Sequence, residues 1–261
     1  MKKISILLAA LALCASAAYG QSRIDDLNDF SLSKDNARVE THLHVAFPMY
    51  FGWSTLTNVN YKGDWSWANA AIGSDFLNTR TGKNFVYGLE MAAIHFSKPG
   101  GLVDVSLGIR WTFMDFTLSD SQWTFRKGAP VSSNFMPYLG VNNNNQYFPH
   151  RIVEEAANYD GRKSKIHGNY LGIPVRVTFG ANKLRVFVGA SAEYLISGYT
   201  KYKFPKYGQD ATPLFNRFRA TVEAGMQFGI LGVFANYGLT TLFPDSLSDA
   251  RTLTFGIVLG R

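Results

Sequence analysis

Apolar and polar side chains alternate along most of this chain with the period of a β-strand. The alternation is clearest in "LVDVSLGIRWTF", where the apolar side chains of one face are Val103, Val105, Leu107, Ile109, Trp111 and Phe113. Beyond that point the apolar positions move to even numbers, which predicts a β-bulge near Phe113. Helical periodicity is nearly absent and about eight alternating segments occur, so the pattern indicates an all-β chain.

The links between these segments alternate strictly between short and long. Short, glycine-containing turns are predicted at 97–101, 180–183 and 229–232, and long links at roughly 56–83, 119–166, 201–214 and 244–250. In an up-and-down barrel this order puts the tight turns on one rim and the long loops on the other. The sequence therefore predicts an eight-stranded antiparallel up-and-down transmembrane β-barrel with long extracellular loops.

The polar strand faces decide which solvent the apolar faces meet. They are rich in Gly, Ser and Thr with isolated Arg and Glu, which suits the interior of a narrow barrel better than a water-exposed surface. A soluble periplasmic ligand-binding barrel, with the two faces exchanged, is the alternative. The predicted polar network of the lumen consists of Glu40, His42, His44, Glu90, Asp104, Arg110, Arg176, Arg185, Glu193, Arg219 and Glu223.

The first residues predict export. "MKKISILLAALALCASAAYGQ" combines two lysines, a short apolar run and small residues, which is typical of a signal peptide at 1–20. A short periplasmic tail at 21–37 and a barrel at 38–261 follow, with both termini expected in the periplasm and the barrel in the outer membrane. Removal of the signal peptide lowers the net charge from +7 to +5. The sequence contains no run of basic residues of the kind that is typical of nucleic-acid binding.

The long loop 119–166 is the predicted functional surface, because links of this length usually bind a ligand or partner or act as a lid. Its aromatic side chains are the candidate contacts for a ligand or partner: Trp123, Phe125, Phe135, Tyr138, Tyr147 and Phe148. A variable surface decoration without a fixed partner is the other reading of such a loop.

Two sets of residues raise the question of chemistry. Glu40, His42 and His44 are spaced by two, so they share one strand face and have the composition of a zinc site. A lipid A-modifying enzyme would need a hydroxyl, imidazole and carboxylate set near the outer rim, for which the candidates are Ser132, Ser133, His150, Asp160, Ser164 and His167. The simpler expectation is that the first set fills the lumen and that the chain has no catalytic residue, metal or cofactor.

Three segments resemble a known family. "YLGIPVRVTF" at 170–179, "RVFVGASAEYLISG" at 185–198 and "FANYGLTTLF" at 234–243 resemble strands of the PorT-like outer-membrane β-barrel family of Bacteroidetes. The resemblance covers about 170–261, although the chain ends in "VLGR" rather than in an aromatic residue. It implies an eight-stranded barrel without an assigned enzymatic activity, in a family with a few members linked to type IX secretion and gliding.

The predicted function is accordingly non-enzymatic: a structural or interaction role at the cell surface that assists a secretion or envelope assembly. The expected partners are outer-membrane lipid and lipopolysaccharide, the barrel-insertion machinery and a secretion-system or surface partner, with the protein as a monomer.

Overall fold

A computed structural model describes residues 40–44, 48–69, 75–97, 102–120, 123–127, 147–151, 163–180, 184–202 and 207–260. The predicted signal peptide and periplasmic tail lie outside these residues. The strands are β1 (Glu40–His44), β2 (Met49–Thr57), β3 (Phe85–Ser97), β4 (Val103–Thr117), β5 (Trp123–Lys127), β6 (Tyr147–Arg151), β7 (Ser164–Phe179), β8 (Leu184–Tyr202), β9 (Tyr207–Asp210), β10 (Phe218–Phe228), β11 (Leu231–Gly238) and β12 (Arg251–Leu259). Within the described ranges, three short 3₁₀ helices span Gly63–Asn69, Thr81–Lys83 and Thr212–Leu214.

Eight of these strands close into an antiparallel barrel. Strand pairing runs β2–β3–β4–β7–β8–β10–β11–β12, and β12 pairs back with β2 from Arg251↔Thr57 to Leu259↔Met49. β1 adds a further antiparallel pairing with the second half of β3, and β9 pairs with the end of β8. The predicted fold class, an eight-stranded all-β barrel, is confirmed.

The register irregularities lie in other strands than the sequence predicts. β3 contains a shift between Glu90 and Ala92, and the β7–β8 pairing shifts after Asn169. β4 pairs with both neighbours through Phe113 without a shift, so the bulge predicted there is wrong. Met114 and Phe116 are apolar because they point into an apolar part of the interior, and the strand keeps its phase throughout.

The outside of the barrel is an apolar belt. The outward side chains of the long strands are large and exposed, as in Ile173 at 54%, Val188 at 48% and Phe228 at 65% exposure, whereas the alternate positions are buried. A barrel suits lipid on this surface because closure gives each of the eight barrel strands a hydrogen-bonded partner on both sides. The protein is thus a transmembrane β-barrel with its polar strand faces inward. Among the described residues, no helix is both long and apolar enough to cross a membrane.

The loops follow the predicted division between two rims. The described end of the barrel at Leu259 lies opposite Leu231, beside the short turn between β10 and β11, and Glu40 pairs with Ser97 at the same rim. The link between β4 and β7 is less irregular than expected, since β5 and β6 form an antiparallel hairpin within it. β7 also begins at Ser164, two residues before the predicted end of the loop.

The apolar belt predicts that the cost of a charged substitution on the outer face depends on its depth in the membrane. Leu107→Arg places a charge on the outward face near the middle of β4 and should lower the free energy of unfolding by about 2–4 kcal/mol. Leu102→Arg, at the short-turn rim, should cost no more than about 1 kcal/mol. Urea unfolding in lipid vesicles measures both values, and equal losses would contradict the assignment of the belt to lipid.

Candidate functional site

A cluster of four buried charged residues crosses the lumen. Arg110 donates two hydrogen bonds to Glu223, of 2.7 and 2.9 Å, and lies 3.6 Å from Glu90. Arg176 lies 2.8 Å from Glu90 through Nη2, and its Nε donates to Glu223. The four residues come from β3, β4, β7 and β10. We call this set the ionic ring, because each arginine contacts both glutamates.

Tyr50 of β2 contacts three members of the ionic ring. Its hydroxyl donates to Glu90 at 3.3 Å, and the guanidinium groups of Arg110 and Arg176 lie 4.5 and 5.1 Å from the centre of its ring. Tyr50 also packs edge-on against Phe234 of β11, with 5.5 Å between ring centres. Cation–π contact and ion pairing therefore link five strands of the barrel through a few side chains.

A second charged group lies next to the ionic ring. Arg219 Nε is 3.3 Å from Glu193 Oε2, and the other carboxylate oxygen of Glu193 accepts hydrogen bonds from Thr112 at 3.3 Å and Ser191 at 3.2 Å. The guanidinium of Arg219 lies 5.3 Å from the centre of the Tyr170 ring and donates to the Met114 sulfur. The two groups together hold three arginines and three glutamates, so their formal charges balance.

Small residues make room for these long side chains. Arg176 faces Ser106 on β4 and Gly189 on β8, and an added Cβ at Gly189 would lie 2.9 Å from Arg176 Cγ. Glu193 faces Gly172, where an added Cβ would lie 3.1 Å from Glu193 Cβ. The glycines of the polar strand faces are therefore part of the packing around the charged residues.

A small cavity lies between the two charged groups. A cavity of about 20 Å³ is lined by residues of both charged groups, among them Arg110, Glu193 and Arg219, together with Asn236. This volume accommodates about one water molecule. Residues of both charged groups thus surround a cavity that holds little more than one water molecule.

An apolar cap fills the interior beside the long loops. Its buried members come from β3, β4, β5, β7 and β8 and from the loops: Tyr61, Trp65, Phe76, Leu77, Val86, Met114, Phe116, Leu118, Trp123, Phe125, Ile166, Tyr170, Leu195, Ala211, Leu214, Phe215, Leu242, Phe243 and Ala250. Trp65 packs against Phe76, Phe125 and Phe243, with ring centres 5.2–5.7 Å apart. The lumen is thus polar in its middle and apolar at this end, rather than polar throughout.

Tyr61 fastens one loop of the cap. Its hydroxyl donates to Asp75 at 2.6 Å and accepts a hydrogen bond from the Leu77 amide, while the Asn69 side chain bonds both its backbone groups. Burial raises the pKa of the Tyr61 phenol above its ordinary value, and the Asp75 carboxylate raises that pKa further because it binds the protonated form.

The other predicted lumen residues lie towards the short-turn rim. Asp104 Oδ2 is 2.7 Å from His95 Nδ1, a partner that the sequence did not indicate. Arg185 is half-buried and lies opposite Gln227 in the register of β8 and β10. Glu40, His42 and His44 occupy the register positions opposite Ser97, His95 and Ala93. Their side chains lie outside the described part of the structure. Among the side chains that are described, no three or more His, Cys, Asp or Glu residues are grouped so that they could hold a metal ion.

The structure corrects the expected surface of the long loop. Trp123 and Phe125 are both 1% exposed within the cap, so neither ring is available to a partner. Tyr147 and Phe148 belong to β6, where they pair with Lys127 and Arg126, but the structure does not describe their side chains. Phe135 and Tyr138 lie outside the described residues. Sequence reasoning also missed the cap, whose only local indication is the density of aromatic residues in the links.

Two of the candidate catalytic residues point in opposite directions. Ser164 is fully buried on the inner face of β7, whereas His167 lies on the outer face, stacked on Tyr199 with 4.2 Å between ring centres. This pair cannot act on one substrate. His150 is in β6 with its side chain outside the description, and Ser132, Ser133 and Asp160 lie outside the described residues.

Comparisons with known proteins add little. No described protein family and no curated protein matches the chain. Among solved structures it is similar to Ail, the attachment invasion locus protein of Yersinia pestis, at 10% identity and a TM-score of 0.33, over 85% of this chain and 97% of Ail. A chain from "Asymmetric conductivity of engineered proteins" gives 8% identity and a TM-score of 0.13, over 85% of this chain and 100% of that one. Likenesses this weak carry no argument, and the barrel assignment depends on the strand pairing and the belt.

The ionic ring predicts a large effect of neutralising one carboxylate. Glu223→Gln leaves two buried arginines to share Glu90, and should lower the free energy of unfolding by about 3–5 kcal/mol. The matched control is Asp249→Asn, which breaks the exposed Lys62–Asp249 pair and should cost about 1 kcal/mol or less. Urea unfolding in vesicles compares the two, and similar small losses would show that the ionic ring contributes little.

Tyr61 predicts a pH dependence in the cap. Because its folded-state pKa is raised, its contribution to stability is present below the unfolded value of about 10 and declines as the pH rises above that value. Tyr61→Phe removes both the hydrogen bonds and this titration. The difference in unfolding free energy between the wild type and Tyr61→Phe should therefore shrink above about pH 10, and a constant difference from pH 8 to 11 would refute the assignment.

Proposed function

We propose that this protein is a non-enzymatic barrel of the outer membrane that presents a rigid, sealed surface at its long-loop rim. The observation that carries the proposal is the combination of an exposed apolar belt with a lumen filled by balanced charges. The belt suits a lipid bilayer, and the filled lumen leaves the protein without a transport path.

The cap supports an interaction role at this rim. It anchors the β5–β6 hairpin through Trp123 and Phe125, and it fixes the loop that carries Trp65. Loops held on a rigid base lose less conformational entropy when they bind a partner. The proposed partner surface is therefore the 119–166 loop at this rim.

The orientation in the envelope follows from the same division of loops. We place the short turns, together with both chain termini, in the periplasm after removal of the signal peptide, and the long loops outside the cell. Assistance to a secretion or envelope assembly is the specific role that the resemblance to PorT-like barrels suggests, with the barrel-insertion machinery as an earlier partner.

Fractionation and electrophoresis test the location. The mature protein should be found in the outer-membrane fraction and should migrate faster in an unheated gel sample than in a boiled one, as closed barrels do. Planar bilayers that contain the purified protein should show no conductance steps. Recovery in the soluble periplasmic fraction without detergent would instead support the soluble barrel.

Lipid analysis tests the absence of enzymatic activity. Mass spectrometry of lipid A from cells with and without the gene should give the same acyl pattern. A difference that is restored by the wild-type gene would show that the barrel is a lipid A-modifying enzyme.

A further inference from the structure

Two lysines oppose each other directly on the outside of the barrel. Lys165 of β7 pairs with Lys201 of β8, and both occupy outward positions beyond the apolar belt at the long-loop rim. Like charges directly opposite each other on one strand face destabilise a sheet. A pair in this position therefore needs a compensating negative charge.

The described carboxylates compensate only one of the two lysines. Lys165 Nζ lies 2.7 Å from Asp115 Oδ2, and Asp115 also faces His167, whose Nε2 is 3.7 Å from Oδ1. Asp210, in the row below Lys201, accepts hydrogen bonds from the hydroxyl and the amide of Thr212 at 2.7 and 3.0 Å. Lys201 is exposed and forms no ion pair with a carboxylate in the described part of the chain.

The surroundings of the pair suit a lipid. The stacked rings of His167 and Tyr199 lie directly below it, and the row Leu171 and Tyr194 of the belt follows further down, with 39% and 54% exposure. An anionic headgroup with acyl chains would place its phosphate at the lysines and its chains along the belt. A free phosphate ion would use only the first of these contacts.

We propose that Lys165 and Lys201 form a binding site for the phosphate group of an anionic lipid in the outer leaflet. The ammonium groups donate charge-assisted hydrogen bonds to phosphate oxygens, and the phosphate supplies the negative charge that Lys201 lacks among the described carboxylates. The site rests on the proposed outer-membrane location, because the belt and this rim meet such a headgroup only there. It would tie the barrel to the lipid that surrounds it and hold the long-loop rim at a fixed height.

Native mass spectrometry of the detergent-purified full chain tests the site. The probes are diphosphoryl lipid A, the same lipid A after removal of both phosphates, and phosphatidylcholine. The wild type should retain diphosphoryl lipid A, and the double variant Lys165→Gln/Lys201→Gln should bind it at least about tenfold more weakly, the loss expected from one charge-assisted hydrogen bond. Lys201→Gln alone changes an exposed side chain and should give most of the loss, so a folded variant is available even if the double variant fails to fold.

Lys62→Gln is the matched control, because Lys62 is an exposed lysine at the same rim that also forms an ion pair. It should bind as the wild type does. The lipid site would be overturned if the wild type retained the three lipids equally, or if Lys62→Gln lost as much lipid A binding as Lys201→Gln. It would also be overturned if Lys201→Gln lost no lipid A binding, or if inorganic phosphate at low millimolar concentration displaced lipid A. Heat-modifiable migration in outer-membrane fractions tests the proposed function separately, so a correctly located barrel without lipid A preference refutes the lipid site alone.

Discussion

Closure of the sheet between β2 and β12 is the constraint on which the rest of this structure depends. Their pairing from Thr57↔Arg251 to Met49↔Leu259 turns an open sheet into a ring, so each of the eight barrel strands has a partner on both sides. Only under this condition can the outward faces be apolar without attracting another strand. The belt, the inward polar faces and the separation of the two rims all follow from the closed ring.

A closed ring of eight strands must fill its own interior, and this chain does so with charges. Three arginines and three glutamates balance one another, while Gly172, Gly189 and Ser106 provide the space that their side chains need. Buried ion pairs rarely stabilise a protein more than apolar packing would. We infer that they contribute to specificity here, because a shifted register would leave an arginine without its glutamate.

The strands and their two faces could be predicted because period-2 alternation is a local property of the sequence. The pairing of charged residues could not, since Arg110 meets Glu223 across 113 positions of the chain, and the stagger of the strands decides which side chains meet. The same limit explains the misplaced bulge at Phe113. Met114 and Phe116 broke the expected polar pattern because a cap built from distant loops surrounds them, and Trp123 and Phe125 are buried for the same reason.

The cap also makes the two rims unlike, and this asymmetry bears on function. At the short-turn rim, large apolar residues such as Ile230 and Phe228 remain exposed up to the turn itself, which suits a simple exit from the membrane. At the long-loop rim, the cap joins four loops to the barrel wall, and the outer surface changes from apolar rings to the paired charges around Asp115. Because loop entropy is already lost in folding, contacts made at this rim cost less ordering on binding. The proposed partner surface and the proposed lipid site both lie at this end of the barrel, next to side chains that the cap orders.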